Sequence, residues 1–530
     1  MKDDQRMRPD GPTCILALDQ GTTSSRAILF DRRGVPLAIA QEEFPQWTRT
    51  LSASAAQRGP DVGVEDVAIV EHDPEDIWRS QLACCRRVLE TSGTAPDHVA
   101  AIGITNQRET TILWERATGR PVAPAIVWQS RVSAGICARL RARGIEDTVR
   151  RATGLLLDPY FSATKIVHLL ETIPGLRGRC EAGEILFGTV DTFLIWRLTG
   201  GRVHATDVTN ASRTLLFDIR AGAWSDELCR LFDVPRAILP EVRPSSGSFG
   251  ETDAVWLGAS LPIAGCAGDQ QAAAFGQGCT RPGEAKTTYG TGAFLLFATG
   301  TDAVASRHGL LTTPACVPAG GGHGPVEAGY FLEGSVFVAG SLVGWLRDGV
   351  GLVREAAEIE PLARSVTDTG GVMLVPALTG LGTPYWDPSA RGLLIGLTRA
   401  TSRGHIARAA LESIALSVAD VVACMQQEAG IVPGRMRVDG GASGNDLLMQ
   451  MQADVLGIRL ERPAVRETTS LGAALLAGLA TGFFPDPAAV EEARRVERVF
   501  EPQWSEDRRR RLLARWQDAV GRCRHWAVNE

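Results

Sequence analysis

A short polar segment between two apolar runs is where this 530-residue chain first offers groups that could do chemistry. The apolar runs, residues 14–18 and 27–30, predict two strands joined by a tight turn. Between them lie a carboxylate, a glycine, three hydroxyls and an arginine: Asp19, Gly21, Thr22, Thr23, Ser24 and Arg26. These groups suit a hydrated divalent cation and a chain of phosphates, although an ordinary edge hairpin would show the same pattern. The chain contains no G-x-x-x-x-G-K-[ST] segment and no complete G-x-G-x-x-G segment.

A second carboxylate comes after an apolar run at residues 261–268. The order strand, glycine, carboxylate, helix predicts that Asp269 lies at a helix N-terminus, where the helix dipole and the unpaired amides favour its ionised form. Asp269 is then either a helix-capping residue or a base that takes a hydroxyl proton during phosphoryl transfer. The second role does not need a strong base, because orientation matters more than basicity when the proton is lost late.

Two glycine-rich turns are further candidates for binding. Gly440 and Gly441 lack the Cβ atoms that would block a ligand lying across the backbone, and the helix predicted after them offers amides to a phosphate. Equally, this could be a glycine turn without any ligand. The segment Tyr289-Gly290-Thr291-Gly292 is another place where a ligand could approach the backbone closely. Together with the two strand-end aspartates, these turns favour a nucleotide held between two domains.

Arg108 and Glu109 stand side by side after the apolar run Ala100–Thr105. Adjacent donor and acceptor side chains suit a small polyol, since each hydroxyl both donates and accepts a hydrogen bond. An ion pair on a loop would explain the same two residues. Trp128 and Tyr160 are candidates for the apolar walls of such a pocket, but aromatic residues of this kind are also common in protein cores.

The elements that must position these residues have an α/β pattern. Strand-like runs alternate with helical stretches along the whole chain, and 530 residues exceed what one core usually supports, so two domains are expected. Two glycine- and threonine-rich hairpins about 270 residues apart indicate that the domains are related. We place the boundary near residue 278, giving an N-terminal domain over 1–278 and a C-terminal domain over 279–530. Residues 45–70 predict a surface loop or flexible insertion.

Composition limits the function classes. A net charge of −6 argues against a nucleic-acid partner. Eleven scattered cysteines without a C-x-x-C spacing argue against a zinc site or a disulfide framework and favour reduced thiols in a cytoplasmic protein. The polar start of the chain does not resemble a secretory signal. The longest apolar stretch, residues 471–484, is too short to insert across a membrane and predicts a buried helix.

Several longer motifs resemble the FGGY carbohydrate kinases, and most closely those members that phosphorylate glycerol. They are Asp19-Gln-Gly-Thr-Thr-Ser-Ser-Arg, Thr105-Asn-Gln-Arg-Glu-Thr, Gly188-Thr-Val-Asp-Thr, Thr209-Asn-Ala-Ser-Arg-Thr, Gly268-Asp-Gln-Gln-Ala, Thr288-Tyr-Gly-Thr-Gly, Gly380-Leu-Gly-Thr-Pro-Tyr-Trp-Asp-Pro, Val438-Asp-Gly-Gly-Ala and Glu461-Arg-Pro. The resemblance spans roughly residues 14 to 500. It implies two α/β ATPase domains of the actin, hexokinase and heat-shock-chaperone type (ribonuclease H-like) around a central cleft.

The same resemblance implies an activity and a set of roles. The activity is ATP-dependent phosphorylation of glycerol to sn-glycerol 3-phosphate, with Mg²⁺, in a homo-oligomer (dimer or tetramer). Asp269 would be the general base and Asp19 would hold the metal. Glycerol would contact Arg108, Glu109, Trp128, Tyr160, Asp269, Gln270 and Phe294. The nucleotide and its phosphates would contact Thr22, Thr23, Ser24, Arg26, Gly290, Thr291, Gly340, Gly441 and Asn445.

Some positions depart from the family pattern. Pentulose kinases of the family typically have a Gln-Met-His-Gly type of sequence where this chain has Gln107-Arg108-Glu109-Thr110, so the Arg–Glu pair points to glycerol. Gly344 stands where a glutamine is common, and His168 where a tryptophan is usual. Residues 258–260 replace a loop that binds fructose 1,6-bisphosphate in some bacterial members, which puts that regulation in doubt. The alternatives are a kinase for another polyol or a ketose, an ATPase of assembly or clamping, and a catalytically dead regulator.

Overall fold

The protein, for which we have a computed structural model, is described over residues 12–51, 67–318 and 329–527. Its described residues form two compact units. Unit 1 contains residues 12–51, 67–278, 313–318 and Thr468–Arg494, and unit 2 contains Cys279–Thr312, residues 329–467 and residues 495–527. The chain therefore returns to unit 1 after most of unit 2 has formed.

The strands of unit 1 are Cys14–Gln20 (β1), Ser24–Phe30 (β2), Pro36–Glu43 (β3), Trp47–Leu51 (β4), Val67–His72 (β5), Val99–Asn106 (β6), Ile112–Glu115 (β7), Ala125–Ile126 (β8), Ile185–Gly188 (β9), Ala205–Asp207 (β10), Phe217–Asp218 (β11), Ala223–Trp224 (β12), Glu241–Arg243 (β13) and Ile263–Gly268 (β14). Its helices are Pro74–Ser92, Ala134–Ala142, Glu146–Thr153, Ser162–Thr172, Leu176–Glu181, Val190–Leu198, Val208–Ala211, Asp226–Phe232, Ala254–Leu257, Asp269–Gly276, Thr468–Thr481 and Pro487–Glu492, with short 3₁₀ helices at Pro96–His98 and Arg236–Ile238.

The strands of unit 2 are Ala285–Tyr289 (β15), Ala293–Gly300 (β16), Leu311–Pro314 (β17, which crosses into unit 1), Tyr330–Val336 (β18), Met373–Val375 (β19), Leu393–Ile395 (β20), Arg435–Asp439 (β21), Arg459–Pro463 (β22) and Val496–Phe500 (β23). Its helices are Gly340–Asp348, Ile359–Arg364, Arg403–Ala429, Asp446–Leu456 and Glu506–Cys523, with 3₁₀ helices at Ala356–Glu358 and Gly441–Gly444.

The two central sheets repeat one strand arrangement. In unit 1 the order is β14-β6-β1-β2-β3, with β14, β6 and β1 parallel and the β1-β2-β3 meander antiparallel. In unit 2 the strands β22-β21-β15-β16-β18 have the same order and the same directions within a seven-stranded sheet. The duplication predicted from the two hairpins is confirmed, and so is the α/β fold class.

Helix Thr468–Thr481 packs against the sheet of unit 1 because glycines remove the side chains that would hold it away. A Cβ at Gly103 on β6 would lie 2.2 Å from Ala473 O, and one at Gly265 on β14 would lie 2.6 Å from Ala477 N. The backbone of the helix thus rests directly on the strands. This contact explains why Thr468–Arg494 belongs to unit 1, although the sequence division placed it with residues 279–530. The helix covers most of the apolar stretch 471–484 and is largely buried, as predicted.

The prediction of a loop at residues 45–70 is wrong at both ends of that segment. Strands β4 and β5 pair there in antiparallel register, from Trp47 opposite Glu71 to Leu51 opposite Val67. Both strands contain β-branched residues, which favour such a pair, but the polar stretch between the strands obscured this signal. Residues 52–66, the middle of the predicted loop, lie outside the described residues.

All eleven cysteines are free and buried, in agreement with the predicted reduced thiols. Among the described residues no helix combines the length and the apolar character that a membrane span requires.

Candidate active site

Three parallel strands of unit 1 end side by side, and each carries a predicted site residue at its carboxyl end. Asp19 lies near the end of β1, Arg108 and Glu109 come after β6, and Asp269 comes after β14. Because β1 and β14 both pair with β6 in parallel, their carboxyl ends meet at one edge of the sheet. The sheet topology thus gathers residues that are up to 250 positions apart in the sequence.

Asp269 is the first residue of helix Asp269–Gly276 and is held by an ion pair. The Nε atom of Arg108 lies 3.1 Å from Asp269 Oδ1, and the backbone N–H of Gln270 donates to the same oxygen at 2.7 Å. The Arg108 side chain is 2% exposed, whereas that of Asp269 is 34% exposed. Arg108 also donates to Gln271 Oε1 at 3.3 Å. A buried arginine therefore orients a carboxylate that solvent or a ligand can reach.

Glu109 extends this pairing inward. Its Oε1 lies 3.8 Å from Arg108 Nε and accepts a hydrogen bond from Arg213 Nε at 2.6 Å. Arg213 has no exposed side-chain surface. Positive and negative groups thus alternate from the interior to the reachable carboxylate, in the order Arg213, Glu109, Arg108, Asp269. We call these four residues the charge chain.

The backbone at Glu109 is in the left-handed region, with φ of 62°. This conformation costs a residue other than glycine about 1–3 kcal/mol, so surrounding contacts must impose it. The Glu109 carbonyl oxygen accepts hydrogen bonds from Lys165 Nζ at 3.0 Å, from Ser162 Oγ at 3.0 Å and from Thr111 Oγ1 at 3.2 Å. Lys165 is fully buried, and this burial lowers the pKa of its amine to about 7.

Two predicted aromatic residues stand together in unit 1. The Trp128 and Tyr160 rings make an edge-to-face contact with centroids 5.5 Å apart. Trp128 Nε1 donates to Thr22 Oγ1 at 3.0 Å, which ties the aromatic pair to the predicted phosphate hairpin. The Tyr160 carbonyl accepts from Lys165 Nζ at 2.7 Å. Gln270, also predicted to bind glycerol, is buried beside Asp269.

The hairpin of β1 and β2 presents an all-oxygen set of groups. Asp19 is half-buried, and its Oδ2 accepts a hydrogen bond from Ser470 Oγ at 2.9 Å. Thr22 and Thr23 form the turn beyond it, and Ser24 begins β2. Carboxylate and hydroxyl oxygens are the donors that Mg²⁺ prefers, so the residues present fit this cation.

Arg26 lies on β2 opposite Asp19 in the register. Its guanidinium donates to Gln41 Oε1, at 3.0 Å from Nη2, and Gln41 in turn donates to Ser24 Oγ at 3.1 Å. These bonds hold the arginine against β3 in the described conformation.

Unit 2 contains a cavity of about 630 Å³ at the ends of its own parallel strands. Five predicted nucleotide residues line it: Gly290, Thr291, Gly340, Gly441 and Asn445. The remaining lining residues include Tyr289, Ser341, Val343, Ile359, Glu360, Leu411, Ile414 and Leu448. Much of the wall is backbone and small side chains, with an apolar floor.

Hydrogen bonds between turns fix the rim of this cavity. The N–H of Gly340 donates to Gly290 O and that of Ser341 to Thr291 O, at 2.9 and 3.1 Å. A Cβ at Gly340 would lie 2.5 Å from Gly290 O, so this close approach requires glycine. Asn445 caps helix Asp446–Leu456 through Leu448 N. Phe294 lies half-buried on β16 of unit 2, whereas the other predicted glycerol residues belong to unit 1.

A fully buried polar network supports the charge chain from behind. The Asp207 carboxylate accepts from Thr209 N and Asn210 N and so caps helix Val208–Ala211, which lies just before Arg213 in the chain. Thr209 Oγ1 accepts from Gly268 N at 2.8 Å, directly before Asp269. Burial raises the pKa of Asp207 to about 6. The network thus connects the backbone of both ends of the charge chain.

Several residues of this site were not predicted to act there: Lys165, Asp207, Arg213, Gln271 and Ser470. Arg213 lies in the motif Thr209-Asn-Ala-Ser-Arg-Thr, and Lys165 is one of three lysines in the chain. Those two signals were available, but a sequence pattern does not show which distant carboxylate or carbonyl such a residue contacts.

The chain belongs to the FGGY family of carbohydrate kinases. The model of the family's N-terminal domain matches residues 14–276, and the model of its C-terminal domain matches residues 285–481. The glycerol kinase of Ralstonia pickettii is 53% identical over 510 residues, which cover 96% of this chain and 98% of that protein. The glycerol kinase of Bordetella parapertussis is 53% identical over 514 residues, 97% of each chain.

Solved structures agree with this assignment. The crystal structure of Plasmodium falciparum glycerol kinase with ADP superposes with a TM-score of 0.87 at 33% identity, covering 97% of this chain and 99% of that one. A xylulose kinase from Lactobacillus acidophilus superposes with a TM-score of 0.80 at 19% identity, covering 96% of both chains, which supports the fold alone. The predicted family and fold are confirmed.

Proposed function

We propose that the protein transfers the γ-phosphoryl group of ATP to a terminal hydroxyl of glycerol, giving sn-glycerol 3-phosphate and ADP. The observation that carries this proposal is the charge chain: a buried arginine joins an acceptor, Glu109, to a reachable carboxylate, Asp269. A short polyol offers adjacent hydroxyls that can donate to Glu109 and accept from Arg108. The high identity to glycerol kinases over nearly full length supports the same substrate.

In this mechanism Asp269 accepts the proton of the reacting hydroxyl. The hydroxyl oxygen forms the new bond to the γ-phosphorus as the bond to the β–γ bridging oxygen breaks, and ADP leaves. Arg108 keeps the Asp269 carboxylate aligned through the 3.1 Å contact, so that little reorganisation is needed when the proton moves. Trp128 and Tyr160 of unit 1 would pack against the carbon edge of glycerol.

We assign the nucleotide roles to the residues predicted for them. Asp19 would hold Mg²⁺, which neutralises charge developing on the phosphates when it is bound. Thr22, Thr23, Ser24 and Arg26 would contact the phosphates. In unit 2, the cavity bordered by Gly340, Gly441 and Asn445 has the size and the apolar floor that an adenosine group needs.

An assay of ADP release tests the proposal with the purified chain, ATP and Mg²⁺. Glycerol, dihydroxyacetone, xylulose and ribulose are compared as acceptors. We expect glycerol to have the highest kcat/KM, because the Arg108–Glu109 pair addresses two neighbouring hydroxyls of a three-carbon chain. A preference for xylulose or ribulose would support a ketose kinase instead. ADP release that no acceptor stimulates would support an ATPase of assembly or clamping.

We also propose a cytoplasmic location and a homo-oligomer, a dimer or a tetramer. Eleven free, buried thiols fit a reducing compartment in which ATP is available. Light scattering of the purified chain, with and without glycerol, measures the assembly, and a strictly monomeric mass would contradict the second proposal.

A further inference from the structure

Buried cationic side chains engage Glu109 at its backbone as well as at its carboxylate. Arg213 donates to the carboxylate at 2.6 Å, and Lys165 donates to the carbonyl oxygen at 3.0 Å. Both cationic side chains have no exposed surface. Neither belongs to the residues expected to touch glycerol.

We propose that Lys165 and Arg213 are positioning residues for the polyol, which fix Glu109 at both ends so that its carboxylate faces the substrate hydroxyls. This inference rests on the proposed function and adds to it the residues that determine glycerol affinity from behind the pocket.

The backbone of Glu109 needs such a constraint. With φ of 62°, the residue would relax to an ordinary extended or helical conformation if its carbonyl oxygen lost its donors. Relaxation would rotate the carboxylate away from Arg213 and Arg108. Lys165 supplies a donor from helix Ser162–Thr172 and so couples the backbone conformation of Glu109 to that helix.

Lys165 acts on a second residue of the pocket. Its Nζ also donates to the Tyr160 carbonyl at 2.7 Å, so one ammonium group sets the spacing between Glu109 and the aromatic wall. The amine retains two N–H donors when it loses its proton, which is enough for both carbonyls. Its positioning role therefore depends on hydrogen bonding and not on its charge.

Arg213 is fixed in turn by aromatic rings. Its guanidinium carbon lies 5.8 Å from the Tyr160 ring centroid and 5.3 Å from that of Phe161. A cation over ring faces in a buried site is held by the electrostatic field of the rings. Arg213 and Lys165 thus contact the same short segment, residues 160–161. Arg213 contacts its aromatic rings, and Lys165 contacts its backbone at Tyr160.

The test is a steady-state comparison of full-length variants. Lys165→Met keeps the length of the side chain and removes its donors. We expect the KM for glycerol to rise about 10-fold or more, the range for loss of two buried hydrogen bonds, while the KM for ATP and kcat change less than about threefold. Arg213→Met should give the same split, and Arg213→Lys should recover part of the glycerol affinity because it restores a donor.

Lys286→Met is the matched control. Lys286 is a buried lysine of unit 2 that donates to Thr288 Oγ1 at 2.8 Å, so its loss imposes a similar structural change in the other unit. We expect an unchanged KM for glycerol in this variant. An unchanged KM for glycerol in a folded Lys165→Met variant would overturn the inference.

If Lys165→Met does not fold, Ser162→Ala is measured in its place. This variant removes the hydroxyl donor to the same carbonyl oxygen of Glu109 and leaves Lys165 intact. A two- to fivefold rise in the glycerol KM supports the inference, and no rise overturns it. The proposed function is tested separately on the wild-type chain. Failure to phosphorylate glycerol there contradicts the function, whereas an active wild type with unaffected variants contradicts this inference alone.

Discussion

The candidate glycerol site of unit 1 and the cavity of unit 2 lie at equivalent ends of similar sheets, but different kinds of residue line them. Unit 1 places four charged side chains in contact, three of them buried. In unit 2 the cavity is instead lined by residues without side chains, glycines 290, 340 and 441, around an apolar floor. A small polyol has to be bound by directed hydrogen bonds, whereas a nucleotide is bound by shape along a bare backbone. One fold therefore offers two kinds of candidate binding surface, depending on the residues at the ends of its strands.

The largest effect is expected at the exposed end of the charge chain. Asp269→Asn removes the proposed proton acceptor but keeps the shape of the side chain and its ability to form hydrogen bonds. We expect kcat to fall by about 10²–10⁴ with small changes in both KM values. Steady-state kinetics with glycerol and ATP measure this. Turnover near the wild-type rate would show that Asp269 is not the base.

Removal of the central cation should weaken glycerol binding next most strongly. Arg108→Ala leaves Glu109 and Asp269 without the buried guanidinium that joins them. We expect the KM for glycerol to rise about 10- to 100-fold with little change in the KM for ATP, as for loss of charge-assisted hydrogen bonds. Thermal unfolding of the variant checks that the fold is intact. An unchanged glycerol KM in a folded variant would remove Arg108 from the pocket.

Unit 2 contains a buried carboxylate, Glu412, whose stability effect should depend on pH. Burial raises the pKa of Glu412 to about 7, against the opposing influence of Arg408, Arg508 and Arg515. The folded state favours the protonated form of Glu412. The contribution of this protonated side chain to the free energy of unfolding is therefore fully present below pH 4.5 and is lost as the pH rises through about 7. We expect Glu412→Gln to match the wild type near pH 4 and to exceed its free energy of unfolding by about 3 kcal/mol at pH 8.5.

Denaturant unfolding at the two pH values measures this difference. A constant gap between Glu412→Gln and the wild type would show that the ionisation of Glu412 does not limit the stability of unit 2.

The smallest effect is expected where unit 2 lacks a side chain that the family commonly has. Gly344 lies in helix Gly340–Asp348, and a Cβ there would meet nothing within 4 Å. Gly344→Gln should lower the KM for ATP about two- to tenfold by adding one hydrogen-bonding group. Gly344→Ala is the control, since it gains the same helix propensity without the amide. Equal KM values for the two variants would contradict a role for an amide at this position.

The local parts of both sites could be predicted from the sequence. Asp19 and Asp269 each come after a short apolar run and precede a turn or a helix, so their positions at strand ends depend only on neighbouring residues. The duplicated hairpins were also visible in the spacing of glycine and threonine.

The supporting contacts could not be predicted, because they join residues far apart in the chain. Arg213 meets Glu109 across 104 positions, Lys165 meets it across 56, and Ser470 reaches Asp19 across 451. Burial of these polar groups depends on the completed fold. The β4–β5 pair was missed for a related reason, since its strands are separated by a polar stretch that carries no alternation.

The central claim is that unit 1 binds glycerol through charged side chains, while unit 2 binds the adenosine group of the nucleotide in a cavity bordered by glycines. Calorimetric titration of glycerol and of ADP into the Arg108→Ala and Gly441→Val variants tests this claim directly. A Cβ at Gly441 meets nothing within 4 Å, so a valine there can be accommodated and would fill part of the cavity. Gly434→Val, at another open glycine of unit 2, is the control. We predict that Arg108→Ala loses glycerol affinity and keeps ADP affinity, and that Gly441→Val does the reverse. Loss of glycerol binding in a folded Gly441→Val, or of ADP binding in a folded Arg108→Ala, would contradict the account.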